Sequence, residues 1–193
     1  MTPGKLIVIT GPAAVGKSTV SRAIQAVFAT KGEICMVLEL DTFGRGVPRE
    51  WVSIGTHRGA NSELGFDYVR TEAGSMGLAL GDDGRRVLIA FHRSVAAVAS
   101  SGMNAVCETI VYDEDDWRDW SEALHNIPVC WVRLCAPVEV LDEREKADRS
   151  RVFQGLARGM SARKRVGTYD IEADTSTETA NSIVQRIIAK LGS

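Results

Sequence analysis

The chain has 193 residues, of which 45% are hydrophobic and 25% are charged, and its formal net charge is −2. This length and composition fit one globular domain with a substantial apolar core, and so small a net charge gives no electrostatic basis for binding nucleic acid. The first apolar run, residues 6–9, is too short to cross a membrane or to form the apolar part of a signal peptide, so we expect neither a nucleic-acid nor a membrane partner.

Short apolar runs alternate with helical patterns along the chain, which is typical of a parallel sheet covered by helices on both faces. The first strand is predicted at 5–10, and a helix with apolar residues at core spacing begins near Gly16. The second strand, 34–40, is followed directly by Asp41. Three more strands are predicted at 104–113, 129–135 and 170–176. The sequence therefore predicts an α/β fold, a three-layer sandwich with a five-stranded parallel sheet, in which residues 1–193 form a single domain.

The segment from about 43 to 86 interrupts this alternation. Seven glycines lie from Gly44 to Gly77, and "GDDG" at 81–84 predicts a turn between two short strands. A long, glycine-rich loop inside a compact domain is usually functional. We therefore interpret residues 43–86 as a substrate-binding insertion.

Residues 11–18 read "GPAAVGKS" and match the phosphate-binding motif G-x-x-x-x-G-K-[ST] in full, between an apolar strand and an amphipathic helix. Such a loop turns its backbone N–H groups toward a polyphosphate, and the helix that follows adds its dipole. The lysine of the motif reaches the β- and γ-phosphates, and its hydroxyl residue ligates Mg²⁺. The predicted nucleotide-binding residues are Gly11, Pro12, Ala13, Ala14, Val15, Gly16, Lys17, Ser18 and Thr19.

Two carboxylates stand where a kinase needs them. P-loop proteins are broadly switches, motors or small-molecule kinases. The chain is too short for a motor and lacks the N-K-x-D guanine motif that GTPase switches usually carry, so a small-molecule kinase remains. A kinase needs a base for the proton of the acceptor hydroxyl, and Asp41 follows the second strand at the carboxyl edge of the sheet. Its alternative role is an Asx turn that ends the strand. Glu108 in the third strand is a candidate for the magnesium site together with Ser18, and Asp113 is a second candidate.

The segment "EREKADRSR", 143–151, is rich in arginine. Arginines that close over a transferring phosphoryl group stabilise its charge and exclude water. We therefore predict a lid at about 144–160, in which Arg144, Arg149 and Arg151 are catalytic. The alternative is a solvated helix with pairs of opposite charge.

Five pieces of the chain occur in a characteristic order: the phosphate loop, "LELD" at 38–41, "AVASSGMNAVCETIVYD" at 97–113, the arginine-rich segment and "YDIEADTS" at 169–176. Together they resemble the chloramphenicol phosphotransferase-like family of P-loop small-molecule kinases, which implies a P-loop kinase-like three-layer sandwich with an arginine-bearing lid. The resemblance implies phosphorylation of a hydroxyl group on a small molecule with ATP and Mg²⁺, and the acceptor in the type enzyme is an antibiotic. It also implies that Asp41 is the catalytic base and that adenine binds near Asp174 and Thr175.

The acceptor is expected to bind the insertion and the helix after it, which carry the aromatic or apolar residues Phe43, Pro48, Trp51, Phe66, Tyr68 and Phe91. We select Asp41, Phe43, Trp51 and Phe91 as the acceptor-binding residues, because apolar pockets with a few polar groups suit drug-sized ligands. Arginines in the same segment favour an anionic acceptor instead. The alternatives to an antibiotic kinase such as one acting on chloramphenicol are therefore a nucleoside, nucleotide or sugar-acid kinase, or a nucleotide-dependent binding or regulatory protein.

The four cysteines lie in or beside apolar runs, and no two of them form a C-x-x-C pair. They lack the spacing of metal ligands and are typical of small buried side chains in a reducing compartment. The pattern predicts a cytoplasmic protein, and the sequence leaves open whether it forms a homo-oligomer.

Overall fold

The computed structural model describes residues 2–70, 75–148 and 154–192. The strands within these ranges are β1 (Leu6–Thr10), β2 (Cys35–Glu39), β3 (Val52–Ser53), β4 (Phe66–Arg70), β5 (Met76–Leu80), β6 (Asn104–Thr109), β7 (Val129–Cys135) and β8 (Ile171–Asp174). The α-helices are α1 (Lys17–Thr30), α2 (Leu40–Gly44), α3 (Asp82–Ser100), α4 (Glu114–Ala123), α5 (Val138–Ala147), α6 (Leu156–Ser161) and α7 (Ala180–Gly192). None of these helices combines the length and the apolar character that a membrane span requires.

Five strands form one parallel sheet in the order β2-β6-β1-β7-β8. The central strand β1 is buried along its whole length, because helices cover both faces of the sheet. Ile7 and Ile9 of β1 belong to the core that α1 and α7 cover. Leu6 and Val8 point to the opposite face and belong to the core under α3 and α4. The predicted three-layer α/β fold with a five-stranded parallel sheet is confirmed.

Residues 43–86 contain more regular structure than the loop predicted from the sequence. β3 pairs with β4 in parallel, and β4 pairs with β5 in antiparallel fashion, so these strands form a second sheet. The turn predicted at 81–84 is wrong, because Asp82 begins α3. Asp82 and Asp83 lie in the first turn of α3, where the helix dipole favours negative charge. Glycine at position 84 lets α3 pack closely against the backbone of Gly65, since a Cβ there would lie 2.2 Å from the carbonyl oxygen of Gly65.

The predicted lid, about 144–160, overlaps the end of α5 and most of α6, and residues 149–153 between them lie outside the described ranges. A buried carboxylate ties the two helices together. Glu145 of α5 is 1% exposed, and it accepts hydrogen bonds from the backbone N–H groups of Gly155 (2.7 Å) and Ala157 (2.9 Å). α6 in turn packs against β5 of the second sheet. This connection fixes α6 beside the carboxyl edge of the main sheet.

Candidate active site

The loop of residues 11–16 joins β1 to α1 with a backbone that depends on glycine. Gly11, Ala14 and Gly16 have positive φ angles of 150°, 59° and 96°. A Cβ at Gly11 would also lie 2.5 Å from the carbonyl oxygen of Leu134. The fully buried side chain of Val15 anchors the loop to the core. The loop leads directly into the N-terminus of α1, where backbone N–H groups and the helix dipole attract phosphate.

Lys17 is the first residue of α1, and its side chain folds back over the loop. Its Nζ donates hydrogen bonds to the carbonyl oxygens of Gly11 (2.9 Å) and Pro12 (3.0 Å). These bonds hold the ammonium group beside a cavity that Lys17 itself lines. A cation in this position is suited to the phosphate groups of a nucleotide.

The carboxyl ends of β1, β2 and β6 open into a cavity of about 440 Å³. Residues 13–19 form one wall. The other described residues around it are Glu39, Leu40, Asp41, Arg45, Tyr68, Glu108, Thr109, Ile110, Tyr112, Arg144, Asp148, Leu156 and Met160. The fold thus brings the phosphate loop, Asp41, Glu108 and Arg144 to one cavity, although they come from distant parts of the chain.

Glu108 is held at the base of the phosphate loop by two serines of α1. Its side chain is almost fully buried, and β6 lies beside β1 in the sheet. Ser18 Oγ donates a hydrogen bond to Glu108 Oε2 (2.7 Å), and Ser21 Oγ donates to Glu108 Oε1. The carboxylate is therefore paired at both oxygens and directed at the hydroxyl group of the motif.

The donor atoms at this point fit a magnesium ion. The Ser18 hydroxyl and the Glu108 carboxylate are hard oxygen ligands, which Mg²⁺ prefers. Among the described residues no group of three or more His, Cys, Asp or Glu side chains is arranged to hold a metal ion. A site with few protein ligands suits Mg²⁺, which retains several water molecules and binds the phosphates of its nucleotide.

Asp41 lies inside α2 and is exposed to the cavity. The sequence predicted a second strand that runs to residue 40, directly before Asp41, but β2 ends at Glu39 and Leu40 already belongs to the helix. Tyr68 and Tyr112 line the same cavity. Burial raises the pKa of Tyr68 to about 12, and the negative charge of Asp41 adds to this. A tyrosine is protonated at neutral pH even at its ordinary pKa, and the raised pKa values of Tyr68 and Tyr112 move their ionisation further into the alkaline range.

Arg144 of the predicted lid contacts the segment where adenine was expected. Its Nη1 donates to Thr175 Oγ1 (2.9 Å), and its Nη2 donates to the carbonyl oxygen of Thr175 (2.8 Å). Both residues line a smaller cavity of about 260 Å³ next to the phosphate loop. Arg144 also lines the phosphate cavity, so it stands between the two. Arg149 and Arg151 lie outside the described residues.

Asp174 closes the turn that carries Thr175. Its Oδ1 accepts hydrogen bonds from the N–H of Ser176 (2.8 Å) and from Ser176 Oγ (2.6 Å). These bonds lower the pKa of the Asp174 carboxyl group. The residue is thus engaged in the turn, while Thr175 beside it faces the smaller cavity.

The aromatic residues selected for the acceptor lie apart from the phosphate cavity. Phe43 and Trp51 line a different, largely apolar cavity of about 650 Å³, and Trp51 Nε1 donates to Asp83 Oδ2 (2.9 Å). Phe91 is 2% exposed and packs under Phe43, with ring centroids 5.3 Å apart. Two residues along a helix correspond to about 200° of rotation, so Asp41 and Phe43 point to opposite sides of α2. The structure therefore does not bring these three aromatic residues and Asp41 into one cavity.

Comparison with known families identifies the chain. The model of the chloramphenicol phosphotransferase-like protein family matches residues 4–192. The chain belongs to this family. As a member of this family it is a small-molecule kinase, and the resemblance noted from the sequence is confirmed. A comparison with proteins of curated function finds no match.

Solved structures with this fold include several kinases. The APS kinase of Mycobacterium tuberculosis, solved with AMPPNP and APS, has a TM-score of 0.69 and 19% identity, with 100% of both chains covered. A gluconokinase from Sinorhizobium meliloti 1021 has a TM-score of 0.60 and 19% identity, covering 99% of this chain and 93% of the other. The tunicamycin resistance protein of Deinococcus radiodurans has a TM-score of 0.61 and 15% identity, covering 98% and 96%. At these identities the likeness shows a shared fold.

Several residues of this chloramphenicol phosphotransferase-like site were not selected from the sequence, and four of them bear on its chemistry. Tyr68 was noted only among the aromatic residues of the insertion, and Tyr112, Glu39 and Ser21 were not considered. Ser21 had a usable signal, because it lies three residues after Ser18 and so on the same face of the predicted helix. Glu39 and Tyr112 had none, since the pairing of β2 with β6 and the turn after β6 determine what these residues face.

Proposed function

We propose that the protein transfers the γ-phosphoryl group of ATP, with Mg²⁺, to a hydroxyl group of an antibiotic of the chloramphenicol type. The observation that carries the proposal is the cavity in which Asp41, Lys17 and the Ser18–Glu108 pair meet. It combines a phosphate loop with a carboxylate base, as phosphoryl transfer to an alcohol requires. We also propose a cytoplasmic location, in keeping with four free cysteines and with the use of ATP.

The phosphate loop and Lys17 would bind the triphosphate, and the adenine would lie toward Thr175 in the smaller cavity. Arg144 lines both cavities, so it is placed to contact the phosphates while Thr175 holds its guanidinium group. Ser18 and Glu108 would hold the magnesium ion, which neutralises phosphate charge when it is bound. This arrangement supports a nucleotide that spans the two cavities across the phosphate loop.

Asp41 would act as the general base. As the oxygen of the acceptor hydroxyl forms its bond to the γ-phosphorus, Asp41 takes the hydroxyl proton. The bond from the γ-phosphorus to the bridging oxygen breaks, and the electron pair stays on the ADP that leaves. The acceptor gains one phosphoryl group, and the proton passes from Asp41 to solvent. An exposed carboxylate on a short helix can both reach an acceptor and exchange its proton with water.

The acceptor must place its hydroxyl group beside Asp41, and we therefore assign it to the phosphate cavity. Tyr68 of the second sheet, Tyr112 from the segment between β6 and α4, and Met160 of α6 line that cavity. The apolar cavity with Phe43 and Trp51 lies on the other side of α2, so these residues would support α2 or contact a distant part of a long acceptor. The family and the likeness to a tunicamycin resistance protein favour an antibiotic.

A sugar-acid kinase is the second candidate. Arg45 lines the phosphate cavity, where a guanidinium group suits a carboxylate on the acceptor. The likeness to a gluconokinase agrees with such a ligand. This reading predicts turnover of sugar acids and none of chloramphenicol.

A mass-spectrometric screen separates these functions. The purified protein is incubated with Mg·ATP and a panel containing chloramphenicol, other hydroxylated antibiotics, nucleosides and sugar acids. A product heavier than chloramphenicol by one phosphoryl group is the expected result. Phosphorylation of a sugar acid alone would replace the antibiotic by the second candidate. Tight ATP binding with no phosphorylated product, and no ATP consumption, would favour a regulatory protein and contradict the proposal.

A further inference from the structure

We infer that Ser21 is a positioning residue of the magnesium site, which holds Glu108 in the orientation that directs the Ser18 hydroxyl toward the metal ion. The inference rests on the proposed function, because it assigns a role at the metal site of that reaction. Ser21 lies outside the phosphate-binding motif.

The geometry forms a chain of three side chains. Ser18 and Ser21 are three residues apart on α1, so they lie on one face of the helix, and this face meets β6 at Glu108. Ser21 is fully buried and Glu108 is 6% exposed. Each serine hydroxyl donates to a different oxygen of the same carboxylate, Ser18 to Oε2 and Ser21 to Oε1.

The hydrogen bond from Ser18 decides which part of its hydroxyl group is available to a cation. A serine hydroxyl has one proton and two lone pairs. When the hydroxyl proton is donated in a hydrogen bond to Glu108, both lone pairs of the oxygen remain available to a metal ion. Besides offering its own carboxylate, Glu108 therefore acts on the metal site through Ser18, and this second action depends on the orientation of the carboxylate.

Ser21 supplies that orientation. A carboxylate that is removed from water needs hydrogen bonds at both oxygens, because an unpaired one is costly to bury. The other acceptor near Ser21 Oγ is the carbonyl oxygen of Ser18, at 3.3 Å, which is a long hydrogen bond. The hydroxyl thus favours Glu108, and its loss would leave Oε1 unpaired and the carboxylate free to rotate away from Ser18.

The test compares nucleotide affinity with and without magnesium. Calorimetric titration of AMPPNP is made in excess Mg²⁺ and again in EDTA, and the ratio of the two affinities measures the contribution of the metal ion. Ser21→Ala should lower this ratio about tenfold and leave the affinity in EDTA unchanged, since partners behind a metal ligand commonly matter to this extent. Ser21→Cys fills the same space with a weak hydrogen-bond donor and should lower the ratio of the two affinities in the same way.

The control is Ser53→Ala, which removes another buried serine hydroxyl, from β3 in the second sheet. It should leave both affinities unchanged. A normal ratio in folded Ser21→Ala or Ser21→Cys would show that Ser21 only packs against the sheet, and would overturn the inference.

Glu108→Gln tests the metal site itself, so it distinguishes a failure of the Ser21 inference from a failure of the proposed metal site. If Glu108→Gln lowers the ratio and the Ser21 variants do not, the inference alone fails. If the ratio of the wild-type protein is one, the proposed metal site fails and the inference with it.

Discussion

Asp41 illustrates how much chemistry depends on the direction of one side chain. It precedes Phe43 by two residues, yet the two face different cavities because α2 begins at Leu40. Had β2 continued through residue 43, Asp41 and Phe43 would point to the same face, since residues two apart in a strand do so. The turn of the helix therefore separates the proposed base from the aromatic residues.

Asp41→Asn tests the proposed base. The amide cannot accept the hydroxyl proton, so we expect kcat for the acceptor found in the screen to fall about 10²- to 10⁴-fold. The affinity for AMPPNP, measured by calorimetry, should stay unchanged. Asp119→Asn on α4 is the matched control and should behave as the wild type. Full activity of Asp41→Asn would exclude Asp41 as the base.

Lys17→Ala tests the phosphate site independently of the acceptor. A hydrogen bond to a charged partner contributes about 1.5–3 kcal/mol, so the Kd for AMPPNP should rise about 10- to 100-fold. Lys31→Ala removes an exposed lysine just after α1 and should have no effect. An unchanged Kd in Lys17→Ala would contradict the assignment of the phosphate loop.

At the level of elements, α6 is short and is attached to the fold by groups outside its own sequence. Glu145 accepts from two N–H groups at its start, and Arg163 just after it donates to the carbonyl oxygens of Tyr112 (3.2 Å) and Leu78 (3.0 Å). The guanidinium group of Arg163 therefore bridges β5 of the second sheet and the segment between β6 and α4. These contacts fix the wall formed by Leu156 and Met160.

Glu145→Ala should destabilise the protein by about 2 kcal/mol, because two backbone N–H groups at the start of α6 lose their acceptor. Urea denaturation followed by circular dichroism measures this free energy of unfolding. Glu143→Ala on the same helix is exposed and should change it by less than about 0.5 kcal/mol. Equal stability of the two variants would refute the capping role of Glu145.

For the whole molecule, the buried acids determine how stability responds to alkaline pH. Burial raises the pKa values of Cys35 and Cys130 from 9.0 to about 11, and raises the pKa of Tyr68 from 10.0 to about 12. The folded protein therefore keeps these groups neutral at a pH where the unfolded chain already releases their protons. Their contribution to stability is complete below the unfolded pKa values and is lost as the pH rises toward the folded ones.

The free energy of unfolding should consequently fall between pH 9 and pH 12, the interval between the ordinary and the raised pKa values. One group in this interval contributes a slope of about 1.4 kcal/mol per pH unit. Tyr68→Phe should reduce the slope above pH 10 by about this amount, because phenylalanine has no proton to release. Urea midpoints measured across this range check the prediction, and an unchanged slope in Tyr68→Phe would contradict the buried state of its hydroxyl group.

The second sheet explains why the insertion was harder to predict than the main fold. The segments that flank its strands approach each other closely at backbone level, as Gly84 does to Gly65 and Gly81 to Glu63. A glycine required by such a contact has the same local signature as a glycine in a turn, so "GDDG" was taken for a turn. The strands of the main sheet are continuous apolar runs, and their pattern is visible without knowing their neighbours.

The sequence alone determined the features that local patterns encode. The apolar runs define the five parallel strands, and the spacing of glycines, lysine and serine defines the phosphate loop, because backbone conformation and phosphate binding are local properties of that stretch. Only the tertiary structure decided which side chains share a cavity. Tyr68, Tyr112 and Glu39 join Asp41 there, whereas Phe43 and Trp51 do not, since helix rotation, strand pairing and the docking of the second sheet set the direction of each side chain.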